Sequence, residues 1–160
     1  MKYRKRLFDS FVVWLTGAVM YFFMEILIRG YSHISMFICG GMAFFVIDKL
    51  WWSIRKMNYS IMLKVIMVMM IGSCVITALE YITGVIVNIK FGLDVWDYSE
   101  LRFNYRGQIC MIYSILWSVL SAGCIVVSEI LRKNIIEDKK SLNAWGFFLW
   151  LQRSHFETFV

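Results

Sequence analysis

Val65-IMVMMIGSCVITALEYITGVI-Val87 is a run of 23 residues in which Glu80 is the only charged side chain. A helix needs about 20 mostly apolar residues to cross a hydrocarbon core of roughly 30 Å. The run has this length, and it lacks the alternation of apolar and polar residues that is typical of a barrel strand. It therefore predicts a transmembrane helix.

Three further apolar segments of similar length flank this run, at residues 11–28, 34–52 and 109–131. The chain is 60% hydrophobic and contains no proline, whereas a soluble domain is about 45–50% apolar. Because an apolar excess of this size has to face lipid, we expect contact with the lipid bilayer. The sequence predicts an all-α integral membrane four-helix bundle, with residues 1–160 forming a single membrane domain. The predicted spans are 11–28, 34–52, 65–87 and 109–131.

The remaining C-terminal segment, residues 141–160, contains the apolar patch Ala144-WGFFLW-Leu151, which is too short to span. Trp145 and Trp150 are residue types that favour the membrane–water interface. We therefore expect a short interfacial helix in this tail.

Lysine and arginine concentrate in three of the five segments outside the spans. Cytoplasmic loops carry the excess of these residues, whereas the loop after the third span balances its basic residues with Asp94, Asp97 and Glu100. The pattern predicts a multi-pass protein of the cell membrane with both termini in the cytoplasm (N-in, C-in). The net charge of +6 is thus a topology signal and indicates no nucleic-acid partner. The basic residues are Lys2, Arg4, Lys5 and Arg6; Lys49, Arg55, Lys56 and Lys64; and Arg132, Lys133, Lys139 and Lys140.

Two glutamates within the predicted spans need a physical reason, because ionisable groups are costly in hydrocarbon. Glu25 lies near the end of the first span, where pairing with Arg29 one helical turn away is the alternative to a functional role. Glu80 lies seven residues from the end of the third span, at a depth of roughly 10 Å. We expect Glu80 to face the interior of the bundle.

Small and hydroxyl residues share helix faces with these glutamates. Thr77, Glu80 and Gly84 follow the spacing of one face of a helix, and Tyr21 precedes Glu25 by one turn in the same way. Such faces indicate close helix packing. A sharper hypothesis is a polar pocket around Glu25 and Glu80. A third stripe runs along the fourth span through Ser114, Ser118, Ser121 and Ser128.

The loop of residues 94–107 combines acids, arginines and aromatics beside the predicted pocket. We expect it to fold back as a lid, with Trp96 and Tyr98 at the membrane interface and Asn104 or Gln108 capping the fourth helix. Asp97 is a further pocket candidate. The acids lack the spacing of a calcium loop, so no metal site is predicted.

Catalytic and nucleotide-binding motifs are missing from the sequence. It contains no Walker A loop, dinucleotide fingerprint, nucleophile elbow or H-E-x-x-H motif. We therefore predict no catalytic residue and no cofactor, and the sequence favours a role other than that of an enzyme. Any ATP-driven transport would need an ATPase on another chain.

Several motifs resemble one family of four-span membrane proteins, the ABC-transporter type IV or CmpB-like proteins. Leu79-EYIT-Gly84, Trp96-DY-Ser99 and Phe103-NYRGQI-Cys110 are similar to the family patterns L-E-Y-x-T-G, W-D-Y-S and F-N-x-x-G-x-I-C. Gly30-YSHISM-Phe37 is similar to another family segment. The departure is at residues 38–40, where Ile-Cys-Gly replaces the expected Pro-Ile-Tyr.

The resemblance implies a permease-like role and brings Glu25, Glu80, Asp97, Asn104 and Gln108 to one side of the membrane. Three functions remain open: a transporter subunit that forms oligomers and works with a separate ATPase, a non-transporting structural or regulatory membrane protein, and a small membrane enzyme acting on lipid. The pocket or substrate-binding candidates are Glu25, Glu80, Thr77, Asp97, Tyr98, Asn104 and Gln108.

Overall fold

The fold consists of four long helices and one small hairpin. The structure, a computed structural model, describes residues 2–136. The helices are α1 (Lys2–Arg29), α2 (Ile34–Ile54), α3 (Ile61–Gly84) and α4 (Met111–Leu131), and the hairpin strands are β1 (Asn104–Tyr105) and β2 (Ile109–Cys110). π-Helical segments continue α3 through Val85–Lys90 and α4 through Arg132–Ile136.

Four helical stretches are long and apolar enough to cross a membrane. They are Arg6–Arg29, Ile34–Ile54, Ile61–Lys90 and Met111–Asn134. The prediction of an all-α four-helix membrane bundle is confirmed, and the protein is a multi-pass membrane protein in contact with lipid. The interfacial helix predicted for residues 141–160 lies outside the described residues.

The helix boundaries differ from the predicted spans mainly at their N-terminal ends. α3 begins at Ile61 rather than Val65, because Ser60 caps it by accepting a hydrogen bond from the Leu63 amide at 3.3 Å. A side-chain cap satisfies an amide that has no partner within the helix. α4 begins at Met111 rather than Ile109, because Ile109 and Cys110 form strand β2.

The chain divides into two compact units, residues 1–126 and residues 127–160. The first contains α1 to α3, the hairpin and most of α4. Of the second, the structure describes residues 127–136, which end α4 and form the π-helical segment after it. The single membrane domain proposed for residues 1–160 stays a prediction.

Glycine lets α1 and α2 approach closely. A Cβ added at Gly41 would lie 2.6 Å from Trp14 Cε2, and one at Gly17 would overlap the side chain of Phe44. Gly40 is covered in the same way by the ring of Tyr21. Membrane helices gain their association energy from such close backbone packing, since lipid offers no hydrophobic driving force.

Hydroxyl side chains join α3 to α4. The Ser73 hydroxyl donates to the Ser114 carbonyl, and the Thr77 hydroxyl donates to Ser114 Oγ at 3.0 Å. Gly72 lies against Ser121, whose Oγ would be 2.5 Å from an added Cβ. These parts of the hydroxyl stripes therefore serve helix packing.

The largest apolar core forms around α2. Ile47 and Trp51 of α2 pack with Val68 and Ile76 of α3 and with Trp117 of α4. A second cluster joins Met36, near the start of α2, to Val87, Val95 and Trp96. This second cluster places the 91–110 loop over the end of the bundle where α1 ends and α2 begins, which is called the loop side below.

Candidate functional site

Glu80 is buried at the loop side of the bundle, with 2% of its surface exposed. Its Oε1 accepts a hydrogen bond from the Tyr98 hydroxyl, and its Oε2 accepts one from Trp117 Nε1, both at 2.9 Å. A buried carboxylate is tolerated when its oxygens are hydrogen-bonded. Glu80 therefore connects α3 to both the loop and α4.

Tyr98 brings the loop down onto the helices. Its ring stacks on Tyr113 of α4, with centroids 4.6 Å apart and planes 19° from parallel. Its amide also donates to the Gly107 carbonyl at 2.8 Å, which fixes the loop backbone. Burial raises the pKa of Tyr98, and the neighbouring Glu80 charge raises it further. The phenol therefore stays protonated and remains a hydrogen-bond donor to Glu80.

Glu25 is also buried, with 4% of its surface exposed. Its Oε1 is 3.0 Å from Arg29 Nη1, and its Oε2 accepts a hydrogen bond from Ser32 at 2.6 Å. The pairing with Arg29 considered from the sequence is present. Arg29 Nη2 donates to the Val95 carbonyl, so this ion pair also holds the loop.

Tyr21 is linked to both carboxylates. Its hydroxyl interacts electrostatically with Glu25 and with Glu80. Its ring packs at 6.0 Å from that of Trp117, which itself bonds Glu80. The two glutamates singled out by sequence thus belong to one buried region at the loop side.

Asn88, in the π-helical segment after α3, makes three side-chain hydrogen bonds to the loop. Its Nδ2 donates to the Trp96 carbonyl at 2.9 Å and to Gln108 Oε1 at 2.8 Å, and its Oδ1 accepts from the Val95 amide at 2.8 Å. Trp96 Nε1 completes the network by donating to the Gln108 carbonyl at 2.9 Å. All four residues are buried.

Gly84 permits this network to form. A Cβ at this position would lie 2.5 Å from Gln108 Oε1 and 3.0 Å from Trp96 Cζ2. Cβ atoms essentially never lie within 3.0 Å of another atom, so a larger residue at this position would force the Gln108 amide to move and would crowd Trp96. Glycine at the last turn of α3 therefore favours this arrangement of the loop.

Asp97 and Asn104 shape the loop itself. Asp97 is exposed, and its Oδ1 accepts from the Ser99 amide at 2.8 Å and the Ser99 hydroxyl at 2.6 Å. Asn104 donates to the carbonyls of Ser99 and Leu101 and accepts from the Gly107 amide. Neither side chain contributes to the buried region around the glutamates.

Two details of the predicted lid are wrong. Trp96 is 5% exposed and packs in the interior, because its indole N–H is satisfied by a backbone carbonyl there. Asn104 and Gln108 bond within the loop and to Asn88, so neither caps α4.

The family described as "Putative ABC-transporter type IV", or ABC_trans_CmpB, matches residues 10–152. The chain belongs to this family. The resemblance drawn from the sequence motifs is confirmed. No curated protein and no solved structure matches the chain.

The family motifs supply most of the contacts that hold the loop. Glu80 and Gly84 come from Leu79-EYIT-Gly84, and Trp96 and Tyr98 come from Trp96-DY-Ser99. Gln108 comes from the third motif. These distant motifs meet in space because the loop folds back over the helix that precedes it.

Two buried polar residues were missed from the sequence. Asn88 lies one residue beyond the predicted third span, and its polarity within Val85-IVNI-Lys90 was the available signal. Asp48 is a further carboxylate in a predicted span, in α2, and it is fully buried at 0% exposure. Its position within a predicted span was a signal for a buried polar role.

Metal ligands are not assembled in the described part of the chain. Among residues 2–136 there is no group of three or more His, Cys, Asp or Glu side chains that could hold a metal ion. The acids of the loop are spread along it, and Asp97 is satisfied by Ser99.

The Asp97 turn is expected to weaken in acid. Hydrogen bonds from the Ser99 side chain and backbone lower the pKa of Asp97. A lowered folded-state pKa means that the contribution to stability is present above the unfolded value of about 3.9 and is lost as pH falls through the folded value. Protease cleavage within residues 94–107, measured from pH 7 down to pH 3, should therefore rise at the acid end. Asp97→Asn, which keeps an acceptor oxygen but does not titrate there, should flatten the profile; an unchanged profile would assign the effect to another acid.

Proposed function

We propose that the protein is the permease-like membrane subunit of an ABC-type transporter, with ATP hydrolysed by a separate chain. The observation that carries the proposal is membership of the family over residues 10–152, together with four helices able to span the membrane. The sequence has no Walker A loop, so the energy source would have to be supplied by a partner. Four short spans make a poor path alone, and assembly of several copies is part of the proposal.

The proposed orientation places both termini in the cytoplasm and the loop side outside. The distribution of Lys and Arg along the sequence supports it, because most of the basic residues precede the first span, lie between the second and third spans or follow the fourth. The loop of residues 94–107 would then meet solute arriving from outside the cell.

The proposed solute site is the region around Glu25 and Glu80 at the loop side. The present hydrogen bonds describe its closed form, in which Tyr98 covers Glu80. A solute reaching Glu80 would have to replace the donors Tyr98 and Trp117, so it must itself donate hydrogen bonds or carry positive charge. Buried carboxylates in transporters serve cations and protons in this way. The remaining candidates for the solute site are Thr77, Asp97, Asn104 and Gln108. Gln108 is the strongest of these, because its side chain is buried under the loop.

A second candidate is a structural or regulatory membrane protein that transports nothing. The observation in its favour is that each carboxylate oxygen of Glu80 and Glu25 already has a donor. A fully bonded network of this kind stabilises a single arrangement of helices and loop.

The existence of a separate ATPase subunit is tested by purifying the tagged chain from its own cell membranes in mild detergent. We expect a chain with a Walker A motif to co-purify in fixed ratio, with ATP hydrolysis inhibited by vanadate. A chain purified alone, with no ATP hydrolysis in the fraction, would contradict the transporter proposal.

Glu80→Gln separates the two candidates in that same complex. Glutamine keeps an acceptor for one donor and removes the negative charge, so the complex should still assemble. If Glu80 receives a cationic solute or a proton, ATP-driven uptake into proteoliposomes should be lost. Normal uptake would exclude that role for Glu80, whereas loss of assembly would favour the structural candidate. Glu100→Gln, in the exposed part of the loop, is the matched control.

A further inference from the structure

A cleft of about 450 Å³ opens between α3 and the start of α4. It lies apart from the buried glutamates, on the side of α3 that carries Cys74 and Ala78. Both residues are exposed, and they belong to the part of α3 that spans the membrane. Ligand sites in proteins commonly have volumes of about 300–1,000 Å³. The cleft is therefore large enough for a ligand, and it opens to the hydrocarbon of the bilayer.

The polar groups along the cleft are already paired. Ser73 and Thr77 donate to Ser114, and the Ser114 hydroxyl donates to the Cys110 carbonyl at 3.2 Å. With these hydroxyls satisfied, the wall offers mainly carbon to an occupant. Such a wall suits an alkyl chain rather than a polar solute.

Two tyrosines form the loop-side end of the cleft. Tyr81 of α3 and Tyr105 of β1 have ring centroids 5.6 Å apart. The 20 residue steps from Ile61 to Tyr81 span about 30 Å along the helix, which is the thickness of the hydrocarbon core. Tyrosine is enriched where hydrocarbon meets headgroups. With Ile61 taken at the opposite edge of the hydrocarbon, we expect this end of the cleft near the lipid headgroups, shallower than the depth expected for Glu80 from a span ending at Val87.

Arg106 adds a positive charge at the same end. Arg106 follows Tyr105 directly in the chain and interacts electrostatically with the Tyr81 side chain, and the residue is exposed. In the part of the chain that the structure describes, its guanidinium is paired with no carboxylate. Arginine holds phosphate well because its planar group offers several donors in a fixed geometry.

We propose that this cleft binds one anionic phospholipid, with an acyl chain along Ala78 and Thr77 and the phosphate on Arg106. An apolar slot in the hydrocarbon that ends in an unpaired cation at headgroup level is complementary to a phospholipid and to no water-soluble anion. The site uses neither glutamate and shares only Thr77 with the candidates for the solute site.

The backbone conformation at Arg106 suits an uncharged replacement. Arg106 occupies a left-handed backbone conformation with φ +54°, which asparagine adopts more readily than arginine. Arg106→Asn therefore removes the charge without straining the hairpin. It is a cleaner variant than alanine at this position.

Native mass spectrometry of the intact protein, released from detergent with added phosphatidylglycerol or phosphatidylcholine, tests the site. We expect phosphatidylglycerol to remain bound preferentially. Arg106→Asn should reduce its retention about five- to tenfold and reduce that of phosphatidylcholine less, because the choline cation offsets the phosphate charge. Ala78→Trp, which fills the cleft from α3, should reduce retention of both lipids. Arg102→Gln, a neighbouring exposed arginine of the same loop, is the matched control and should behave as the wild type.

Equal retention of phosphatidylglycerol by the wild type, Arg106→Asn and Ala78→Trp would overturn the proposal. Displacement of the bound lipid by glycerol phosphate alone would also overturn it, because the acyl chain would then contribute nothing. Loss of a dimer in Ala78→Trp, with lipid retention unchanged, would assign the cleft to a second copy of the chain. Thermal unfolding of each variant in the same detergent confirms that the comparisons are made on folded protein.

Discussion

Replacing Glu80 by alanine is expected to lower the free energy of unfolding by about 2–5 kcal/mol. The substitution leaves the Tyr98 hydroxyl and the Trp117 indole N–H buried without their acceptor. Each orphaned buried donor costs about 1–3 kcal/mol. Removing the carboxylate also removes the hydrogen bond through which Tyr98 joins the loop to α3.

Reversible unfolding by SDS in mixed micelles measures this loss. Glu100→Ala, which removes an exposed carboxylate of the loop, should change the free energy by less than about 0.5 kcal/mol. If Glu80→Ala were as stable as this control, the two hydrogen bonds would contribute nothing and the described role of Glu80 would be wrong.

Asn88→Ala is expected to cost about 2–4 kcal/mol, with the effect concentrated in the loop. The substitution removes all three bonds from the π-helical segment to Val95, Trp96 and Gln108. Hydrogen exchange should increase at residues 94–108, beginning with the Val95 amide, whose acceptor is lost.

Exchange in the middle of α2 is the internal reference for that experiment, because this helix does not bond Asn88. Asn58→Ala, at an exposed position in the connection between α2 and α3, is the matched substitution. A uniform increase of exchange in all helices would show that Asn88 supports the whole bundle rather than the loop.

The number and type of the helices follow from the sequence because each span is a continuous apolar run. Crossing lipid imposes a length and a composition that a single segment displays by itself. The inward position of Glu80 followed for a similar reason, since its helix face also carries Thr77 and Gly84. These are local properties of one helix.

The contacts of the loop did not follow from spacing, because they depend on how the chain folds back. Trp96 looked like an interfacial residue, since tryptophan is common there. It is buried because the Gln108 carbonyl, 12 residues away, accepts its indole hydrogen bond. Asn88 was missed because it lies just past an apolar run, where a polar residue usually means that the span has ended.

Asp48 shows a further limit of the sequence reasoning. Lys49 follows it directly, and a pair of opposite charges near the end of a span is normally taken as the start of a loop. α2 continues to Ile54. Asp48 and Lys49 therefore lie on different faces of the same helix, and Asp48 is buried while Lys49 is exposed.

The short α1–α2 connection has a consequence for biosynthesis. α1 and α2 are adjacent in sequence and pack through glycine, so they can pair as soon as both have left the ribosome. The bonds of Arg29 to Val95 and of Trp117 to Glu80 cross 66 and 37 residues and must wait for later segments. Until translation reaches those segments, Glu80 lacks both of its hydrogen-bond donors, and Arg29 lacks the Val95 carbonyl. The newly inserted chain is therefore most vulnerable to quality-control proteases in the interval before the 94–107 loop closes.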